Sequence, residues 1–355
     1  MTLPIRVLVV DDSAFIRKVI SNMLASDPRI SIVGTARNGD EALAQVKALQ
    51  PDVMTLDIEM PGMNGLEVLR QVMAHNPLPI LMVSSLTEDG AKETVMALEL
   101  GAVDYIPKHL KGSAVNIVSI QRELIEKVVM AHKVGPKRAP FARQASGERP
   151  VSASVNLTGY SGRGNNRGNK MVAIGCSTGG PKALLDILPL FPKDFPGPIL
   201  VVQHMPKFFV GPFAQRLDQL SQIEVREAVE GDVLKPGLAL IAPGGVQLKV
   251  VRRNTLEVVV KLSAEPVTLH MPSVDVMMTS VAQVFPDRVI GVILTGMGHD
   301  GMEGMAAIKK ANGRTIAQDE ATCVVYGMPK AVVDSGMADK VVPLEKMAGE
   351  IANMV

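Results

Sequence analysis

MVAIGCSTGGPK, residues 171–182, is a short apolar run that breaks into glycines and a proline. The run reads as a buried strand, and Gly179-Gly180-Pro181 reads as a tight turn with proline at the first position of a helix. Ser177 therefore falls in a strand-to-helix turn, inside the pattern G-x-S-x-G formed by Gly175 to Gly179. Flanking glycines let backbone and substrate approach such a serine closely, at the edge of a sheet. The unpaired amides and positive dipole end of a helix just behind it suit an anion formed there. These five residues alone fit a phosphate-binding or purely structural glycine turn equally well.

Working outward, PILVVQ, IEVREA, LALIA and VIGVILT read as further strands with helices between several of them. The runs QLKVVRR and LEVVVKL, joined at Asn254-Thr255, read as a hairpin. This half is α/β with some antiparallel strand. A serine nucleophile needs a base, and the base needs an orienting acceptor. His204 directly follows PILVVQ, and Asp300 follows VIGVILT within the glycine-rich segment Thr295 to Gly301. All three residues thus fall at carboxyl ends of strands, on one edge of one sheet. Their chain order, Ser, His, Asp, differs from that of the α/β-hydrolases and argues against that superfamily while leaving the chemistry possible. His299 is a rival base, and Asp300 is also placed to cap the helix that begins at GMEGMAAI. His75, His132 and His270 have no partner nearby in sequence and receive no role. The methionines read as core filler.

The first 130 residues alternate in the same manner. IRVLVV, ISIVGTA, VMTLD, PILMVSS and VDYIPK are strand-like, and amphipathic helical stretches separate them. This pattern gives a parallel sheet with helices on both faces, whose ligands bind beyond the carboxyl ends of the strands. Asp11 and Asp12 end the first strand, Asp57 the third, Ser84 and Ser85 the fourth, and Lys108 the fifth. Three carboxylates converging on one spot repel one another unless a hard divalent cation such as Mg²⁺ neutralises them. Lys108 and the Ser84 hydroxyl would then face a phosphoryl group delivered to Asp57. Taken singly, an acidic pair after a strand is most often a helix cap.

Periodicity stops between Val134 and Asn169, where Gly, Pro, Ser, Arg and Asn dominate. The expected division is therefore a domain over 1–130, a linker over 131–169 and a second domain over 170–355. The linker carries Phe141, Tyr160 and a single acid, Glu148. It reads as a spacer, with docking on an acidic partner as the alternative. With 355 residues, 47% hydrophobic and only 3% aromatic, the chain can bury two cores of ordinary size. A net charge of +1 without a basic, aromatic-bearing stripe gives no reason to expect nucleic acid as a partner. Two distant cysteines, Cys176 and Cys323, form no disulfide framework and fit a cytoplasmic location. No run is long enough to insert in a membrane.

Residues 4 to 125 closely resemble the receiver domain of bacterial response regulators, on LVVDDS, LDIEMPGMNGLE around Asp57, MVSS and the Lys108 position. The resemblance implies a flavodoxin-like fold and phosphoryl transfer from a histidine kinase to Asp57. It also implies Mg²⁺ held by Asp12, Asp57 and the backbone carbonyl of Glu59, an acidic pocket completed by Asp11, and Ser84 with Tyr105 as a switch pair. Receivers usually place proline directly after the lysine, whereas here His109 follows Lys108 and Pro107 precedes it. GCSTGG, QHMP and TGMGHDG are similar to the catalytic domain of the chemotaxis protein-glutamate methylesterases. That resemblance implies a Rossmann-like second domain, Ser177 as nucleophile, His204 as base and then acid, and Asp300 orienting His204. The Met297 amide is expected at the oxyanion, with Thr295 and Thr178 shaping the site. No catalytic-domain cofactor is expected. Implied partners are methyl-accepting chemoreceptors and their kinase, the implied reactions are ester hydrolysis and glutamine deamidation, and phosphorylation is expected to raise activity.

Overall fold

In a computed structural model, residues 3–85, 87–108, 114–135 and 170–355 are described, and they fall into two compact units. His109 and residues 136–169, with Phe141, Glu148 and Tyr160, lie outside the described residues.

The first unit holds strands β1 (Ile5–Val10), β2 (Ile30–Ala36), β3 (Val53–Asp57), β4 (Ile80–Ser84) and β5 (Asp104–Pro107). Between them run helices α1 (Ala14–Ala25), α2 (Gly39–Leu49), α3 (Gly65–His75) and α4 (Glu88–Glu99), followed by α5 (Ala114–Val134). All strand pairs are parallel, in the order β2-β1-β3-β4-β5. That is the expected doubly wound sheet. Every residue of β3 and β4 is buried, which is why these strands read as unbroken apolar runs rather than alternating ones. The helices start where a side chain can take up an opening amide: Ser13, Asn38 and Thr87 each accept from the residue three further on, and Asn64 forms a reciprocal capping box with Glu67. Helix α5 runs on to Val134, past the position 130 at which the domain was expected to end.

The second unit contains β6 (Met171–Cys176), β7 (Ile199–Gln203), β8 (Glu224–Glu227), β9 (Leu238–Ile241), β12 (Val289–Ile293), β13 (Arg314–Gln318) and β14 (Lys340–Val342) in one parallel sheet. Its order is β14-β13-β12-β6-β7-β9-β8. Helices α6 (Gly180–Ile187), α7 (Lys207–Leu220), α8 (Val274–Val284), α9 (Met302–Lys310), α10 (Met328–Asp334) and α11 (Leu344–Met354) complete it. The expected hairpin, β10 (Gln247–Arg252) and β11 (Val258–Ser263), pairs antiparallel as a separate two-stranded sheet and lays Leu248, Val250, Val258 and Val260 into the core beside α8. Strands β13 and β14 did not stand out in the sequence. From β6 the chain first builds outward through β7 towards β8, then returns to place β12 on the other side of β6. The carboxyl end of β6 is therefore the point where the winding reverses, and at such a point a crevice opens beyond the strands.

Candidate active site

Ser177 is the first residue after β6, and His204 is the first after β7. The two strands are register neighbours, Cys176 opposite Gln203, and the His204 amide donates to the Cys176 carbonyl at 3.1 Å. Ser177 and His204 thus leave adjacent strand ends one step beyond the last pair. On the opposite side of β6, the Ser177 amide donates to the carbonyl of Thr295, just past β12, at 3.1 Å. Gln203 ties the first two turns together: its Nε2 donates to the carbonyls of Ser177 (3.0 Å) and His204 (2.9 Å).

The imidazole of His204 meets Asp300, with Nε2 2.8 Å from Oδ2, and both side chains are about nine-tenths buried, at 9% and 10% exposure. A carboxylate accepts only, so Nε2 is the donor in this bond. Nδ1 is buried and has no hydrogen-bond partner. Nδ1 is thus the ring nitrogen that the surrounding hydrogen bonds leave open, on the turn next to that of Ser177.

Asp300 is held from three further directions. Its Oδ1 accepts from Ser273 Oγ (2.9 Å) and the Asp275 amide (3.0 Å), and its Oδ2 also accepts from the Val274 amide (2.8 Å). Val274 and Asp275 open α8, so the carboxylate occupies the anion-binding end of that helix. Burial alone would push the Asp300 pKa up, but the bond and charge of His204, with the amides of Asp275 and Val274, outweigh it and hold the group well below the carboxylate range. Asp300 does not cap the following helix: Gly301 is the cap of α9, and Asp275 supplies the carboxylate there. His270, given no role on sequence grounds, stacks on His204 with ring centroids 4.0 Å apart and planes 14° from parallel.

The amides of Thr178 and Met297 donate to no group among the described residues. Thr178 follows the serine, and Met297 follows Gly296, where an added Cβ would stand 2.9 Å from Ser177 Cβ. Thr295 braces the turn: its Oγ1 donates to the Thr178 carbonyl (2.9 Å), its amide donates to Gln318 Oε1 (2.7 Å), and Val325 donates to Oγ1 (2.9 Å). Gly179, in the left-handed region at φ +77°, lets the turn enter α6. Cys176, one residue before the serine, points into the core, and burial pushes its thiol pKa well above the usual value.

The first unit has its own cluster. Ligand atoms of Asp11, Asp12 and Asp57 lie within 4.8 Å of one another. Lys108 Nζ is 3.0 Å from Asp11 Oδ2 and 2.7 Å from Asp57 Oδ2, so one ammonium pairs with two buried oxygens that no other described group satisfies. Burial raises the Asp57 pKa to about 6, against the pull of Lys108 and with a push from Asp11. Buried carboxylate oxygens that share a single lysine are a hard, all-oxygen donor set, and a divalent ion such as Mg²⁺ fits them. The Glu59 carbonyl accepts nothing among the described residues, while its amide donates to Asp57 Oδ1 at 3.2 Å. Arg17 pins the acidic turn through the carbonyls of Asp11 (2.7 Å) and Asp12 (3.0 Å). With no phosphoryl group on Asp57, the Ser84 hydroxyl is turned to α4: it donates to the Gly90 carbonyl at 3.1 Å and accepts from Thr94 Oγ1 at 2.7 Å. Tyr105 is buried with Lys127 Nζ 5.3 Å from its ring centroid.

A family model described as CheB methylesterase matches residues 172–351, and one for the response regulator receiver domain matches residues 7–117. The chain belongs to the CheB methylesterase family. A protein-glutamate methylesterase/protein-glutamine glutaminase of Oleidesulfovibrio alaskensis is 49% identical over 368 residues, spanning 99% of each chain. One from Pyrococcus horikoshii is 46% identical over 353 residues, 99% of this chain and 94% of that one. The crystal structure of the Thermotoga maritima CheB methylesterase catalytic domain is similar at a TM-score of 0.52 and 43% identity, covering 53% of this chain and 99% of that one. As a member of the CheB methylesterase family the chain is a hydrolase of the protein-glutamate methylesterase and protein-glutamine glutaminase class, carrying a response regulator receiver. Among the described residues no helix is long and apolar enough to cross a membrane.

Proposed function

We propose that the chain removes methyl esters from glutamate side chains of chemoreceptors, releasing methanol, that it deamidates particular glutamines of the same receptors, and that it works in the cytoplasm. The observation that carries the assignment of roles is His204, anchored to Asp300 at Nε2 and left with a buried, unpartnered Nδ1 beside the turn of Ser177. In this reading Nδ1 takes the Ser177 proton, and Oγ attacks the γ-carbonyl of the ester. The amides of Met297 and Thr178 receive the charge on the carbonyl oxygen, and one good donor of this kind lowers a barrier by about 3 kcal/mol. Collapse expels the methoxy group, which leaves as methanol with the proton from Nδ1. Water then attacks the acyl-enzyme and gives its proton to Nδ1, which passes it to Ser177 Oγ as the bond to Oγ breaks and the glutamate is freed. An amide substrate differs only in losing ammonia. Asp300 keeps the ring in the required tautomer and stabilises the imidazolium. Thr295 keeps the Thr178 turn in place.

In the receiver, Asp57 accepts a phosphoryl group from a histidine kinase. Asp11, Asp12, Asp57 and the Glu59 carbonyl would hold Mg²⁺, which when bound neutralises charge on the phosphoryl oxygens. Lys108, between Asp11 and Asp57, supplies a further fixed charge. To follow the phosphoryl group, the Ser84 hydroxyl must leave Gly90 and Thr94, and Tyr105 is the aromatic partner in that rearrangement. Phosphorylation raises hydrolysis without adding a catalytic group. The division into a receiver over 1–130, a linker over 131–169 and a catalytic domain over 170–355 is kept for this scheme, with helix α5 of the first unit running on to Val134. Methanol release from methylated receptors, assayed with and without acetyl phosphate and Mg²⁺, tests both halves. Release that survives Ser177→Ala sinks the nucleophile, and stimulation that survives Asp57→Asn sinks the phosphoacceptor.

A further inference from the structure

Two carboxylates trade places between two helix starts beside the site. Asp300, in the turn before α9, takes up the opening amides of α8. Asp275, second residue of α8, takes up those of α9: its Oδ1 accepts from Gly301 (2.9 Å) and Gly304 (2.7 Å). Its own amide is one of the Asp300 donors. Helix α9 has no other side-chain cap, because its cap residue is Gly301, at φ +101°. The fit is close. A Cβ at Gly304 would stand 2.6 Å from Met278 Cβ and 3.2 Å from Asp275 Cα, and one at Gly301 would stand 2.5 Å from Ile293 Cδ1. Among the described residues no cation pairs with Asp275, so neutralising a charge does not account for it. The groups that face it are the α9 amides and Asp300, with His204 beyond Asp300 and His270 stacked on His204. Burial pushes the Asp275 pKa up, and the neighbouring Asp300 charge adds to the push.

We propose that Asp275 is a positioning residue for acyl transfer: through the Gly301 and Gly304 amides it fixes the turn that carries Asp300, and through Asp300 the ring of His204. The proposal rests on the reading of Ser177, His204 and Asp300 given above. Full-length Asp275→Ala and Asp275→Asn are compared by methanol release from methylated receptor across pH and by ¹⁵N spectra of the histidine rings. Alanine is expected to lower kcat roughly 30-fold with KM within about twofold, because a loosened acceptor acts on the transition state more than on binding. It should also shift the acidic limb of the profile down by about one pH unit, since His204 loses an anchored carboxylate. The ring signal of the Nε2–H tautomer should give way to a mixture. Asparagine keeps an oxygen for both amides and should restore the limb, the tautomer and all but about threefold of kcat. If Asp275→Ala does not accumulate folded, Asp275→Ser, too short to reach both amides, takes its place. Wild-type kcat, limb and tautomer in the alanine or serine variant overturn the proposal, as does an asparagine variant that folds yet is as impaired as alanine. The tautomer signal requires no turnover. A wild type that releases no methanol therefore counts against the esterase reading, and an unmoved tautomer counts against Asp275.

Discussion

Both units set their acids at the carboxyl ends of parallel strands, yet they treat them in opposite ways. Asp300 receives four hydrogen bonds, one from His204 and three from the start of α8. Asp11 and Asp57 each keep a buried oxygen without one, and share a single lysine. The pKa values follow: Asp300 lies well below the carboxylate range and Asp57 rises to about 6. A saturated carboxylate can only orient its neighbour. One that shares its only counter-charge is held at a cost in stability, and on the proposed reading a cation or a phosphoryl group relieves that cost.

The largest effect expected is at the nucleophile. Ser177→Ala should lower methanol release by about 10⁴-fold while leaving the circular dichroism and the receiver's response to Mg²⁺ unchanged. Asp300→Asn comes next, at about 10³-fold, because an amide offers a donor where the ring needs an acceptor and turns the imidazole to the wrong tautomer. If asparagine there were harmless, saturation of Asp300 would have no catalytic meaning and the contrast between the units would fail.

The third test concerns stability. A carboxylate whose folded pKa is raised binds its proton more tightly folded than unfolded, so stability falls as pH rises from about 4 towards 6 and stays low above it. In EDTA at pH 7.5, Asp57→Asn should therefore stabilise the chain by about 2 kcal/mol in urea unfolding, with the gain gone near pH 4. Added Mg²⁺ should stabilise the wild type and not the variant. A destabilised Asp57→Asn would show that Lys108 compensates the burial after all. The smallest effect sought is at Thr94→Val, which removes one partner of Ser84 at a stability cost of about 1 kcal/mol. Freed of Thr94, the Ser84 hydroxyl should respond to phosphorylation at lower acetyl phosphate, and an unchanged dose response would separate Ser84 from the switch.

The apolar strands were legible because burial on both faces leaves long hydrophobic runs, and the residues just past them marked both sites. Ser177, His204, Asp57 and Lys108 all follow or end such a run. Strands β13 and β14 were not legible: RTIAQ begins exposed and ends on a polar residue that serves Thr295, and KVV has only three residues. The residues that orient the site were also missed. Gln203 acts on backbone carbonyls, and Asp275 and Ser273 reach Asp300 from 25 and 27 positions away. His270 meets His204 only through the fold, far from it along the chain. The sequence offered one usable sign, Ser273 three residues ahead of the amide it caps at the start of an apolar stretch. Contacts of this kind are set by register and packing, which no local pattern contains.

The reversal at β6 also orders events during synthesis. A chain emerging from the ribosome folds its amino-terminal parts first. Ser177 and His204 are in hand once β7 is made, whereas the carboxylate that His204 meets arrives nearly a hundred residues later, behind the hairpin and α8. On the proposed roles, the half-made chain lacks the acceptor for His204, and the site is completed only when β12 joins β6.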